Sequence, residues 1–463
     1  MNKLPHSPAE NRLATRVFLA LAFALGMAGC STTAHYPVNP PLDGRDPSKE
    51  YRFRNLGHEE TSDSLGVMVT FSGGGTRAAA LAHGVLEELA ETKLYWDGKT
   101  RSLLDEIDVI SSVSGGSIVA AHYALNREKH FSEFPKQFLY ADFQNSIVER
   151  IFSLEVLSLL GSATFGRIEI VAEKLNKQLF HGATYDHLVK RGKRPFVIIN
   201  ATDMSSGARF PFTQEQFDLI CGDLNAIPLA RAVAASAAVP IIFSPLTLNN
   251  YASRCDRPIH ALLTQKSINL PSRQKRRLEE MRSYRDDKRR PYIHLVDGGL
   301  VDNIGVWGGL DSTVLTGGIA GLTHEMGFDK LQKAIFIVVG AETDPSLESD
   351  RSPNVPSIRR VAQAFADIPI NHNSRESLIL FRETLKEWKQ ELKAKIGRDV
   401  DFYLIEVSLR SLPQSDEREQ LMKIPTTLSL PSAEVDLLRK TARRMLRESP
   451  EMKRLLKDMR AGD

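Results

Sequence analysis

Two consecutive strand–turn–helix units constrain this chain more than any other feature. Each opens with an apolar, β-branched run and turns through glycine into a stretch of helix formers. Leu65-Gly66-Val67-Met68-Val69-Thr70-Phe71 reads as a buried strand, which Ser72-Gly73-Gly74-Gly75-Thr76-Arg77 ends. From Arg77 to Leu89 the apolar positions Ala78, Leu81, Ala82, Val85, Leu86 and Leu89 keep helical spacing. The second unit repeats the pattern, with Ile107 to Val113 as strand, Ser114-Gly115-Gly116 as turn and Ser117 to Leu125 as helix. Alternation of this kind implies an α/β fold.

The turns carry the chemistry. Backbone N–H groups in a glycine turn before a helix point at one spot and stabilise negative charge there. Ser114 sits on a sharp strand-to-helix turn among small neighbours, the setting of a nucleophile elbow. Ser112 occupies the place where the elbow pattern usually has its first glycine, and a plain Ser/Gly linker is the other reading of the heptapeptide alone. Asp297 follows the apolar run Tyr292-Ile293-His294-Leu295-Val296 and precedes Gly298 and Gly299, so it ends a strand, on the sheet edge where ligands bind. It reaches Ser114 only if the two strands are neighbours. An ordinary aspartate, with a pKa of about 3.9, is a weak base at neutral pH, and burial beside Leu295 and Val296 would raise it. His83, His122 and His294 have no flanking residues that mark a base, and are read as surface or packing histidines.

With the glycine run, the serine elbow and the Asp-Gly-Gly motif in this order, the stretch from about Gly66 to Gly305 resembles the patatin-like phospholipases and lipid acyl hydrolases. Asn200 to Gly207 with Phe210 and Phe212-Thr213, and Ala234 to Pro240 with Phe243-Ser244-Pro245, resemble two further segments of that core. The resemblance implies a three-layer fold with a mainly parallel central sheet flanked by helices. It implies a Ser114–Asp297 dyad without histidine, an oxyanion hole from the backbone of Gly73, Gly74 and Gly75 with Arg77 following it, and hydrolysis of lipid acyl esters without metal or cofactor. Arg77 as a cation that fixes the loop is the alternative. A catalytically inactive envelope scaffold of the same fold is the rival reading of the whole. Gly73-x-Gly75-x-x-Ala78 also fits a dinucleotide-binding turn, but Ala90 to Gly98 shows no strand ending in an acid, and the Walker A lysine is missing.

Location is read from the start of the chain. Lys3, Arg12 and Arg16 precede the apolar run Val17 to Ala28, which is short for a bilayer span and fits a secretory signal. Met27-Ala28-Gly29-Cys30 resembles a bacterial lipobox, with Met27 where leucine is usual. It implies residues 1–29 as signal peptide, Cys30 as lipidated N-terminus and a lipid-anchored envelope protein, at the outer membrane facing the periplasm. Cleavage after Ala28 is the alternative. Residues 30–64, polar and with Pro37, Pro40, Pro41 and Pro47, read as an extended tether, 65–345 as the catalytic domain and 346–463 as an α/β extension packed on it. Three cysteines occur, and Cys221 and Cys255 are left as a candidate disulfide or as two separate thiols. A net charge of +3 gives no case for nucleic acid, and protein partners leave no mark. Arg273 to Arg290 reads as a solvated charged helix, Arg359 to Lys395 as helices interrupted at Ile368-Pro369, and Ser432 to Met459 as helices split by Pro450.

Overall fold

The computed structural model describes residues 39–57, 61–153, 165–255, 261–264, 270–344 and 348–460, with Val156, Leu159 and Ser162 between. The segment read as a signal peptide, and Cys30, lie outside the described residues. Among the described residues ten strands form: β1 Leu65–Phe71, β2 Lys93–Trp96, β3 Lys99–Ser102, β4 Val109–Val113, β5 Phe196–Asp203, β6 Arg209–Pro211, β7 Leu246–Asn249, β8 Tyr292–Asp297, β9 Lys333–Gly340 and β10 Asp401–Ser408. The main sheet runs β10-β9-β1-β4-β5-β8-β7, with β6 on β5, while β2 and β3 make a separate hairpin. From β10 to β5 all pairings are parallel, and β8 and β7 add antiparallel strands.

Eight helices are used below: α1 Gly75–Glu91, α2 Gly115–Asn126, α3 Leu229–Ser236, α4 Ser272–Ser283, α5 Trp307–Thr316, α6 Ile358–Ile396, α7 Ser432–Glu448 and α8 Pro450–Arg460. Strand periodicity assigns them to layers. Along β9, Ile335, Ile337 and Val339 join the core that holds Ala78, Leu81 and Val85 of α1 and Val435 and Leu438 of α7. The intervening Ala334, Phe336 and Val338 face a second core with Leu310 of α5 and Phe381, Leu385 and Trp388 of α6. Alternate side chains therefore leave opposite faces, each covered by helices, which makes the three-layer α/β sandwich.

Three expectations change. Residues 39–57 are not tether: Tyr51 is fully buried, stacks on Phe196 at 4.7 Å, and its hydroxyl accepts from the Val197 N–H at 2.7 Å. The polar, proline-rich composition hid one aromatic anchor. Helix α6 continues through Pro369 as one element, since a proline removes a single N–H and can bend a helix without ending it. Helix α4 is not wholly solvated, because Arg277, Leu278 and Met281 are buried. The split at Pro450, which opens α8, is as expected.

Candidate active site

Strand register brings the chemistry to one edge. Phe71 pairs with Ser112, Val113 with Asn200, and Ala201 with Asp297. The glycine turn, the Ser114 elbow and Asp297 thus lie at one level although β5 separates β4 from β8. The strands of Ser114 and Asp297 are not neighbours, and β8 arrives antiparallel. Asp297 still ends opposite the elbow because Gly298 closes on β5: a Cβ there would sit 2.2 Å from the Asn200 carbonyl oxygen.

Ser114 adopts φ 49° and ψ −119°, a strained conformation for a non-glycine residue and one expected of a nucleophile elbow. Its neighbours require the strain. A Cβ on Gly115 would lie 2.1 Å from the Gly75 carbonyl oxygen, and one on Gly116 would lie 2.7 Å from that of Phe71. Ser236 at the end of α3 fastens the elbow. Its hydroxyl accepts the Ser114 N–H at 2.8 Å and donates to the Asn200 carbonyl at 2.6 Å.

Asp297 is 3% exposed. Burial pushes its carboxyl up to about 6, against the opposing effect of the Gly299 N–H at 2.8 Å and a hydrogen bond from the Ser114 side chain. Its own N–H donates to the Ala238 carbonyl and that of Gly298 to Ser236. The stretch Ala234 to Pro240 therefore supports both members of the pair. Further along, the Asp302 carboxylate accepts the N–H groups of Gly305 and Trp307 at 3.0 and 2.8 Å and fixes the turn.

The glycine turn departs from expectation at Gly73, and at Arg77 it shows the loop-fixing alternative. The Gly73 N–H donates to the Asn303 carbonyl at 3.1 Å, so Gly73 supplies space instead of a donor; a Cβ there would meet Asn303 Oδ1 at 2.5 Å and Ser114 Cβ at 3.3 Å. Arg77 does not face an anion. Its Nε donates to Ala341 O at 2.8 Å, Nη1 to Ile424 O and Nη2 to Thr426 Oγ1 at 3.0 Å, which clamps the turn to the C-terminal segment. The Thr76 N–H reaches the Thr427 carbonyl at 2.8 Å in the same clamp. Gly74 and Gly75, at φ 139° and 60°, hold conformations that favour glycine, and their N–H groups have no acceptor among the described residues.

The histidines fall elsewhere. His83 and His122 are fully buried and join His130, with His83 Nδ1 3.0 Å from His130 Nε2 and His122 Nδ1 3.0 Å from His130 Nδ1. Burial holds all three below the ordinary imidazole range. His294 bonds Thr247. Cys221 and Cys255 are joined, with Cα atoms 5.4 Å apart. Sequence reasoning missed the roles of Ser236 and Asn303, whose side chains matter only once β5, β8 and the glycine turn are assembled.

The sequence profile of the family described as patatin-like phospholipase matches residues 69–308, which span both turns, Ser114 and Asp297. The chain belongs to that family. No curated protein matches it by sequence. Among solved structures, this patatin-like chain overlaps human GIVD cytosolic phospholipase A2 at 10% identity and a TM-score of 0.44, covering 86% of this chain and 63% of that one. VipD from Legionella pneumophila overlaps at 11% identity and a TM-score of 0.27, covering 83% and 67%. The chain thus spans less than two thirds of the length of the human protein.

Proposed function

We propose that this patatin-like protein is a lipid acyl hydrolase that cleaves carboxylic esters through Ser114 and Asp297. The observation that carries the reading is the strained elbow that presents Ser114 beside the buried Asp297, whose carboxyl burial pushes up to about 6. A base matched to neutral pH takes the hydroxyl proton more readily than an ordinary aspartate. Ser114 Oγ attacks the ester carbonyl carbon while its proton passes to Asp297, and the oxyanion settles on the N–H groups of Gly74 and Gly75. Collapse expels the alcohol, which takes the proton from Asp297. Water then attacks the acyl-enzyme with Asp297 again as base, and collapse returns that proton to Ser114 Oγ as the fatty acid leaves. Each oxyanion donor contributes on the order of 3 kcal/mol.

Phospholipase A-type cleavage is the leading reaction, at the bacterial envelope, with Cys30 as lipid anchor. The joined Cys221–Cys255 pair fits an oxidising compartment. Hydrolysis of p-nitrophenyl esters of graded chain length, with Ser114→Ala and Asp297→Asn alongside, tests the dyad. Both variants are expected to fall to background while remaining folded, and a fluorophosphonate is expected to add its mass at Ser114. Turnover retained in either variant would reject the dyad. A folded wild type that neither turns over nor takes the label would point to a non-enzymatic lipid-binding scaffold. Metabolic labelling with palmitate, lost in Cys30→Ser, tests the anchor.

A further inference from the structure

We propose that the protein carries a second acyl-binding site at the opposite edge of its sheet, independent of the dyad. A cavity of about 390 Å³ lies there, within the size range of small-molecule sites. Its walls include Met68, Val109, Phe196 and Phe336, which lie side by side across the sheet at the start of β4 and β5 and midway along β1 and β9, together with Leu322 and Trp388. Ile198, which also lines it, pairs with Ser111, three residues and roughly 10 Å of strand before Ser114. Neither Ser114 nor Asp297 is among the lining residues.

One end of this apolar space is polar, and its polarity is directional. Gln216 and Arg277 line it and are 3% and 4% exposed. Arg277 Nη2 donates to Gln216 Oε1 at 3.1 Å. A guanidinium only donates, which fixes the amide with its oxygen on Arg277 and leaves Nε2 turned away. Gln216 Nε2 is buried and has no acceptor among the described residues. A buried donor in that state costs about 1–3 kcal/mol; Nε2 is closed off as it stands, so a ligand oxygen recovers that cost once the amide shifts towards the cavity. The charge of Arg277 is already balanced by Asp311 and Glu280, both at 3.3 Å. The site therefore suits an acceptor oxygen at the head of a hydrocarbon chain, with no demand for full negative charge. An acyl chain whose carbonyl oxygen meets Gln216 Nε2 satisfies both ends. A free fatty acid and an acyl ester share that chemistry.

The test uses the full chain bearing Ser114→Ala, so that nothing is turned over. Brominated dodecanoate is titrated while tryptophan emission is followed, because Trp388 lines the cavity, and calorimetry with dodecanoate and methyl dodecanoate compares the two sources. Saturable quenching that Trp388→Phe removes is expected, while calorimetry registers this site alone once a fluorophosphonate blocks the dyad site. Gln216→Leu should weaken affinity about tenfold and Leu322→Trp should fill the space and abolish binding. Wild-type protein blocked at Ser114 by a fluorophosphonate should bind as well as unblocked Ser114→Ala. No binding at millimolar ligand, binding lost on that blockade, or affinity indifferent to all three cavity variants would overturn the proposal. The tighter of acid and ester identifies the source.

Discussion

Desolvation makes Asp297 both useful and costly. A carboxyl whose folded pKa is about 6 binds protons in the folded state that the unfolded chain releases near 3.9. Its contribution to stability therefore declines as pH rises through that window, by up to about 3 kcal/mol at neutral pH. Asp297→Asn keeps an oxygen for the Gly299 N–H and removes the ionisation. It should be inactive yet melt higher than wild type at pH 7, and the advantage should vanish near pH 4; thermal unfolding at both pH values decides. Wild-type kcat/KM should fall as pH drops through about 6, because only the ionised carboxylate accepts the serine proton. Ser236 acts through the elbow, so Ser236→Ala should lower kcat about 10- to 100-fold with KM little changed. The placement of Ser114 and Asp297 at strand ends was legible because each ends an apolar run and is followed by glycines. What Arg77 ties the loop to was not, since its acceptors lie 264 to 349 residues downstream and no local pattern encodes them.

The elements behind the site are held by the C-terminal helices. Helix α1 opens at the glycine turn and lies against α7 so closely that a Cβ on Gly84 would sit 2.5 Å from the Arg439 carbonyl oxygen. Arg443 and Arg447 of α7 bind Glu88 of α1 at 3.2 and 2.7 Å beside this contact. Gly84→Val should force the helices apart, costing about 1–3 kcal/mol in overpacking. It should also displace the Ile424–Thr427 segment that clamps the turn. The expected readouts are a lower melting temperature, faster proteolytic release of the C-terminal region and a reduced kcat on a soluble ester. Normal turnover with loosened C-terminal helices would show that the clamp does not position the oxyanion turn. The individual helices and strands were readable from periodicity. Their docking was not, because Gly84 shows in sequence only as a weak helix former, and its use appears once α7 is beside it.

At the scale of the molecule, one end of the sheet gathers the candidate site. The carboxyl ends of β1 and β4 hold the glycine turn and Ser114, and the chain from α3 passes Asp297 into the turn Val239 to Phe243 at the same end. In that turn Ile241 is 64% and Ile242 59% exposed. Ile241 also holds φ 74°, an outlier for a β-branched residue. Two bare isoleucines sit three and four positions beyond Ala238, whose carbonyl binds the Asp297 N–H, so they stand within about 15 Å of the dyad along the chain. An enzyme that draws lipid from an interface would place such residues in it. Burial of the pair would contribute about 2–3 kcal/mol, or roughly 30- to 150-fold in partition. The variant carrying Ile241→Ser and Ile242→Ser should therefore hydrolyse a soluble short-chain ester at the wild-type rate but lose most of its activity on phospholipid vesicles and sediment less with them. Equal losses on both substrates would mean that the turn shapes the active site and does not touch the lipid surface.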